Sequence, residues 1–284
     1  MKPFPIAVVG AGSHVEEEAL TYLDMPKDMS TFAPPTVADD ADPAVRTAAY
    51  GVLERLLGAM QAWTFGDADA PRIDLLPLAP AVRSAINELL GEGEVSLIID
   101  GAPRLRIQET VFAGIWRIVG TADDGVLQDA VCACALPAEV IERARQAGQR
   151  ALAVEPPPEG VMNAPAVLTE LIERAGQYRD GDEAHIVNLT LLPMSPADHA
   201  YLGAALGAGS VTVLSRGYGN CRVTSTGLAN TWWVQYFNSV DTVILSTIEV
   251  TDVPDVVPAA ADDFADSIER LAEWIETLRS WDAS

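Results

Sequence analysis

Leu75-Leu76-Pro77-Leu78-Ala79-Pro80-Ala81 returns as Leu191-Leu192-Pro193-Met194-Ser195-Pro196-Ala197, an offset of 116 residues. The match runs on without a gap. Leu90-Gly91-Glu92-Gly93-Glu94-Val95 falls on Leu206-Gly207-Ala208-Gly209-Ser210-Val211, and Gly101, Arg106, Thr110, Ala113 and Trp116 fall on Gly217, Arg222, Thr226, Ala229 and Trp232. Over residues 73–118, 14 of 46 ungapped pairs are identical, where composition alone gives roughly three. A one-residue shift brings Val52-Leu53 and Leu56 onto Val167-Leu168 and Leu171, and Pro137 onto Pro254. Duplication of one ancestral module is the economical reading, and two copies make a tandem pair rather than a solenoid.

Each copy predicts the same elements. An amphipathic helix over 45–63 or 164–178 is followed by a strand over 72–76 or 186–192. Pro80 and Pro196 then occupy the first helical turn, where the missing N–H costs nothing, and Gly91 and Gly207 end those helices. Val95 to Ile99 and Val211 to Ser215 are β-branched and apolar enough for buried strands. A turn at Gly101 or Gly217 leads to a hairpin partner, and further strands cover 112–119, 127–135, 231–237 and 242–251. Closing helices lie at 138–148 and about 260–281, the last with Phe264, Ile268, Leu271, Ile275 and Leu278 on one stripe. The expected class is α+β: two tandem mixed α/β modules, each with a mostly antiparallel sheet and flanking helices. The boundaries read as an N-terminal extension over 1–44, a first module over 45–150, a Pro-rich linker over 151–160 and a second module over 161–284. Pro34-Pro35 through Pro43 reads as extended and partly disordered.

With 49% hydrophobic residues and a mean hydropathy of +0.15, 284 residues can bury a full core without staples. Acidic side chains outnumber basic ones 41 to 18, a net charge of −23. Such a field repels nucleic-acid phosphates and anionic lipid and attracts a basic protein face. Three cysteines, Cys132, Cys134 and Cys221, suit a reducing compartment better than a disulfide framework. The start has no signal-peptide pattern and no stretch reaches membrane-span length, so a cytoplasmic protein with no membrane partner is expected.

Ile6-Ala7-Val8-Val9-Gly10-Ala11-Gly12-Ser13-His14-Val15 imitates a dinucleotide-binding turn, but Val15 replaces the third small residue. Glu16, Glu17 and Glu18 would also face the pyrophosphate, so no cofactor is assigned. Cys132 and Cys134 would share one strand face and could bind a soft metal with Cys221, yet no CxxC pair exists and small buried cysteine is the commoner reading. No local signature announces a nucleophile with its base, and no catalytic residue is assigned. Leu214 to Thr226 and Asn230 to Asn238 concentrate the residue types of binding hot spots. Arg216, Tyr218, Asn220, Arg222, Trp233 and Asn238 are therefore the candidate partner-binding residues. The bland reading is a hairpin with Trp232 in the core, like Trp116, and with Arg106 and Arg222 in equivalent internal ion pairs; Trp233, on the opposite strand face, is expected at the surface.

The segment from Leu214 through Asn238, continuing to Pro254, resembles the C-terminal region of the HupH/HyaF family of nickel–iron hydrogenase maturation proteins. Gly10-Ala11-Gly12-Ser13-His14-Val15-Glu16-Glu17 and Met25-Pro26-Lys27-Asp28-Met29-Ser30-Thr31-Phe32 resemble that family's N-terminal block, from which Ala11, His14 and Val15 depart. The resemblance implies a cytoplasmic accessory protein that acts on the small, iron–sulfur-bearing hydrogenase subunit before export, beside a thioredoxin-like hydrogenase chaperone. The expected function is that of an acidic chaperone holding the small-subunit precursor. The alternative is an iron or iron–sulfur scaffold or redox factor using Cys132, Cys134 and Cys221. Leu105 stands at the place of Cys221 in the first copy, and no cysteine matches Cys132 or Cys134 near 248–251.

Overall fold

The helices begin where the sequence places proline. In the computed structural model, which describes residues 33–36, 42–216 and 219–282, α1 (Pro43–Ala62) is capped by the Asp42 side chain, which accepts from the Ala44 N–H. The first copy continues with β1 (Arg72–Asp74), α2 (Pro80–Leu90), β2 (Val95–Ile99), β3 (Arg104–Glu109), β4 (Ile115–Ala122), β5 (Gly125–Ala133) and α3 (Ala138–Ala147). The second runs α4 (Ala164–Gln177), β6 (His185–Asn188), a 3-10 turn (Leu189–Leu191) and α5 (Pro196–Leu206), then β7 (Ala208–Ser215), β8 (Asn220–Thr226), β9 (Thr231–Phe237), β10 (Val243–Val250) and α6 (Ala261–Asp282). Helices α2 and α5 both end on a left-handed glycine, Gly91 at φ 61° and Gly207 at φ 63°, a conformation that penalises any Cβ. The expected helix and strand series is present with boundaries moved by a few residues. The N-terminal block and most of the stretch from Pro34 to Pro43 lie outside the described residues.

All ten strands form one antiparallel sheet in the order β1-β5-β4-β3-β2-β7-β8-β9-β10-β6. The copies join edge to edge through β2 and β7, where Leu97 pairs with Val213. These two residues are repeat equivalents, so a pseudo-twofold axis passes through the sheet at that pair. Successive cross-strand partners Arg117, Gln108, Ser96, Leu214, Arg222 and Gln235 follow one face through both copies.

Helices cover the two ends of that face. The core under α1, α2 and α6 contains Leu53, Leu56, Ile86, Val131, Phe264 and Leu271; the core under α4 and α5 contains Leu168, Leu171, Val187, Leu202 and Ile248. The opposite face carries the central core of Leu97, Ile107, Trp116, Val213, Val223 and Trp232. Its cover is exchanged between copies. Helix α3 of the first copy packs on β7 of the second, with Ser210 Oγ donating to the Arg143 carbonyl at 3.1 Å. After β10 the chain crosses back: the Ala259 N–H donates to the Ala135 carbonyl at 2.9 Å, and the Phe264–Leu278 stripe of α6 enters the core of α1 and α2. Each copy is thus closed by the other, and splitting the chain would expose both cores.

The structure also corrects the register of the repeat at its first strand. Asp74 and Asn188 each end their strand and each accept, through Oδ1, the N–H two residues on, of Leu76 and Thr190. Leu75, with no exposed surface, therefore matches Leu189 at 1% exposure, not Leu191. The second copy holds two extra residues between Leu192 and Pro196. The turn itself is common to both copies: the Leu192 N–H donates to the Leu189 carbonyl as the Leu78 N–H does to the Leu75 carbonyl, so Leu191, 80% exposed, stands at the place of exposed Pro77. The sequence match of Leu75-Leu76 to Leu191-Leu192 was out of register because two identical leucines hid the insertion.

Candidate functional site

The expected partner-binding residues divide among three environments. Arg222 is buried at 7% exposure in the middle of the sheet face between the two helix groups, with its guanidinium 5.6 Å from the centre of the Phe237 ring. Arg106, its repeat equivalent, is exposed, so the two arginines are not in equivalent settings. Trp233 is half-buried against the α4–α5 core and donates its indole N–H to Ser246 Oγ at 2.9 Å. Asn238 closes the β9–β10 turn, its Oδ1 accepting from the N–H groups of Val240 and Thr242 at 3.0 and 2.9 Å. Arg216 is exposed after β7, and Asn220 opens β8 opposite Phe237. Tyr218 lies outside the described residues. Trp232 and Trp116 are both fully buried, as expected.

The place of Trp233 and Ser246 in the second copy is held in the first by a buried ion pair that the sequence did not announce. Arg117 donates to Asp129 Oδ1 at 2.7 Å and to the Ala130 carbonyl at 2.6 Å, and Arg83 reaches Asp129 Oδ2 at 3.1 Å. Burial pulls the Arg117 guanidinium below its usual range against the opposing pull of Asp129. A pair this enclosed is costly to break on one side only.

The second copy presents an apolar corner. Met162 and Leu191 are each 80% exposed, Ile244 58% and Leu192 39%. Hydrogen bonds tie their segments together: Asn163 Nδ2 donates to the Pro193 carbonyl at 2.7 Å, and the Ser246 N–H donates to Thr190 Oγ1 at 2.8 Å. Behind the corner sits Asp198, 1% exposed. Its Oδ1 accepts the N–H groups of Met162, Asn163 and Ala164 at 2.8–2.9 Å, and its Oδ2 accepts the N–H and hydroxyl of Ser195 at 3.0 and 2.8 Å. Burial pushes this carboxyl up, but the donors overcome it and hold it below the usual carboxylate range. The Met162 end of the corner is therefore anchored as well as exposed. Ser195-x-x-Asp198 is a capping box legible in the sequence; its reach to 162–164 was not, because those residues precede it by more than thirty positions.

Cys132 and Cys134 lie on the face away from Arg222, their Sγ atoms 3.8 Å apart. Cys221 is not with them. Five strand-to-strand steps separate β5 from β8, about 24 Å, so one ion cannot take all three thiols. Cys221 contacts Tyr236, and burial, opposed by that hydrogen bond, pushes its thiol up to about 12. Among the described residues no three His, Cys, Asp or Glu side chains gather as a metal site.

The family model for the HupH hydrogenase expression protein, C-terminal conserved region, matches residues 47–153 and 161–278, the two copies of the repeat. The chain belongs to the HupH hydrogenase expression protein family. Relatives include the hydrogenase expression/formation protein HoxQ of Cupriavidus necator, 45% identical over 98% of both chains. HupH of Rhodobacter capsulatus is 41% identical over 95% of this chain and 96% of its own. The hydrogenase-1 operon protein HyaF of Escherichia coli is 35% identical over 72% of this chain and 73% of its own. A solved structure, the hydrogenase expression protein HupH from Thiobacillus denitrificans ATCC 25259, is 31% identical, covers 42% of this chain and 96% of its own, and gives a TM-score of 0.37. Membership in the HupH family places the chain with proteins of hydrogenase expression and formation. In this HupH family member, no helix among the described residues is long and apolar enough to cross a membrane.

Proposed function

We propose that this chain is a cytoplasmic accessory protein of hydrogenase maturation that holds the immature small, iron–sulfur-bearing subunit before export. The observation that carries the reading is the apolar corner of Met162, Leu191, Leu192 and Ile244, with Leu191 where the first copy has Pro77. Large apolar side chains standing in water add nothing to the core, whereas an apolar contact already in place lowers the entropy cost of binding. Exposed Glu159 and Asp241 stand close in sequence to Met162 and Ile244, and the net charge of −23 favours a basic client and speeds its encounter. Arg216 and Asn220 form a secondary polar contact in this reading, and a thioredoxin-like chaperone is a further candidate partner.

Binding of purified small-subunit precursor to the chain tests the proposal. Leu191→Asp and Ile244→Asp are each expected to weaken affinity roughly tenfold, and added salt to slow association without abolishing it. Unchanged affinity in both variants would remove the corner from the mechanism; no binding by the unmodified chain would remove the client.

A further inference from the structure

The duplication supplies an internal control for the thiol pair. The Trp116 indole N–H donates to the Cys134 carbonyl at 3.0 Å, as that of Trp232 does to the Thr251 carbonyl at 3.2 Å. Cys132 pairs with Trp116 across the strands, as Glu249 pairs with Trp232. The second copy thus builds the same junction from Glu249 and Thr251, and packing does not demand two thiols there.

Their geometry is special in a second way. Side chains two apart on an extended strand are normally held well apart, but β5 ends at Ala133 and the chain bends at Cys134. That bend brings the free thiols to 3.8 Å. Cys132 is 3% exposed, while Cys134 is half-buried and reachable. Arg72, opposite Cys132 on β1 and paired with Glu139 at 2.8 Å, places its guanidinium near both sulfurs.

We propose that Cys132 and Cys134 are a reversible dithiol–disulfide site that exchanges with an incoming disulfide. The Cys134 thiolate attacks one sulfur of that disulfide, forming a mixed S–S bond and expelling the other sulfur as a thiolate. Cys132 then loses its proton and attacks Cys134 Sγ, breaking the mixed bond, forming the Cys132–Cys134 bond and releasing the second thiolate. The chain gives up two electrons and two protons; the incoming disulfide gains them as two thiols. Cys132 is suited to the second, resolving role, since its hydrogen bond to Cys134 and its burial keep it protonated until then.

The test treats the full chain with oxidised glutathione, blocks remaining thiols under denaturing conditions, and maps the products by peptide mass. The expected product lacks two hydrogen atoms, links Cys132 to Cys134, leaves Cys221 as the one blockable thiol, and returns to three thiols with dithiothreitol. Cys132→Ser is expected to stop at the glutathione adduct on Cys134, and Cys134→Ser to give neither adduct nor bridge while melting like the unmodified chain. A stable glutathione adduct on the unmodified chain, oxidation at Cys221 instead, or three thiols left unreacted would each overturn the proposal. None of these outcomes bears on client binding at the apolar corner.

Discussion

Replacing Asp198 by Asn should unfasten the joint between the N-terminus of α4 and α5. The carboxylate takes five hydrogen bonds, three on Oδ1 and two on Oδ2, and the residue is 1% exposed, so water cannot replace them. An amide must turn its NH2 toward one set. The cheaper choice faces the two Ser195 donors and loses both bonds, leaving donor against donor. Charge-assisted bonds contribute roughly 1.5–3 kcal/mol each and sum less than additively, so the loss at pH 7 should be about 3–4 kcal/mol. For a chain of this size that corresponds to a Tm lower by roughly 5–7 °C. Because the folded carboxyl is held below its unfolded value near 3.9, its contribution is present above that pH and is lost as the pH falls toward the folded value. Urea unfolding followed by tryptophan fluorescence should therefore show a full deficit in Asp198→Asn at pH 7 that narrows progressively below about pH 4. A deficit under about 1 kcal/mol at pH 7, or one that does not change with pH, would refute the account.

Glu109 should show the opposite slope. Burial, opposed by the Gly114 N–H at 3.1 Å and aided by Glu94 and Asp263, pushes its carboxyl from 4.5 up to about 7. The folded chain then holds a proton that the unfolded chain has released, so this residue lowers stability as pH rises from about 4.5 to 7. Glu109→Gln should stabilise the protein by about 2–3 kcal/mol at pH 8 and little at pH 4, measured by urea titration at both; equal effects at the two pH values would contradict the cause. Separate production of residues 42–153 and 154–282 should give chains without cooperative thermal transitions, because α3 and α6 each close the other copy's core; two sharp calorimetric transitions would show the copies to be independent.

Much of this protein was determined by its sequence. Local rules act within a few residues: the prolines at 80 and 196 start α2 and α5, the glycines at 91 and 207 end them, and alternation along β4 and β9 buries Trp116 and Trp232. The repeat made each assignment twice and so fixed the α+β class. What the tertiary structure decided was every question of partner. Alternation tells which face of a strand is apolar but not which edge it joins, so the β2–β7 seam and its axis at Leu97 and Val213 had no local signal. The same limit hid the Arg117–Asp129 pair, the return of α6 to the first copy, and the approach of Cys132 to Cys134. Leu191 is the clearest case: identical in the sequence match to a leucine with no exposed surface, it stands in water because the folded register sets it against exposed Pro77 instead, and only packing distinguishes the two.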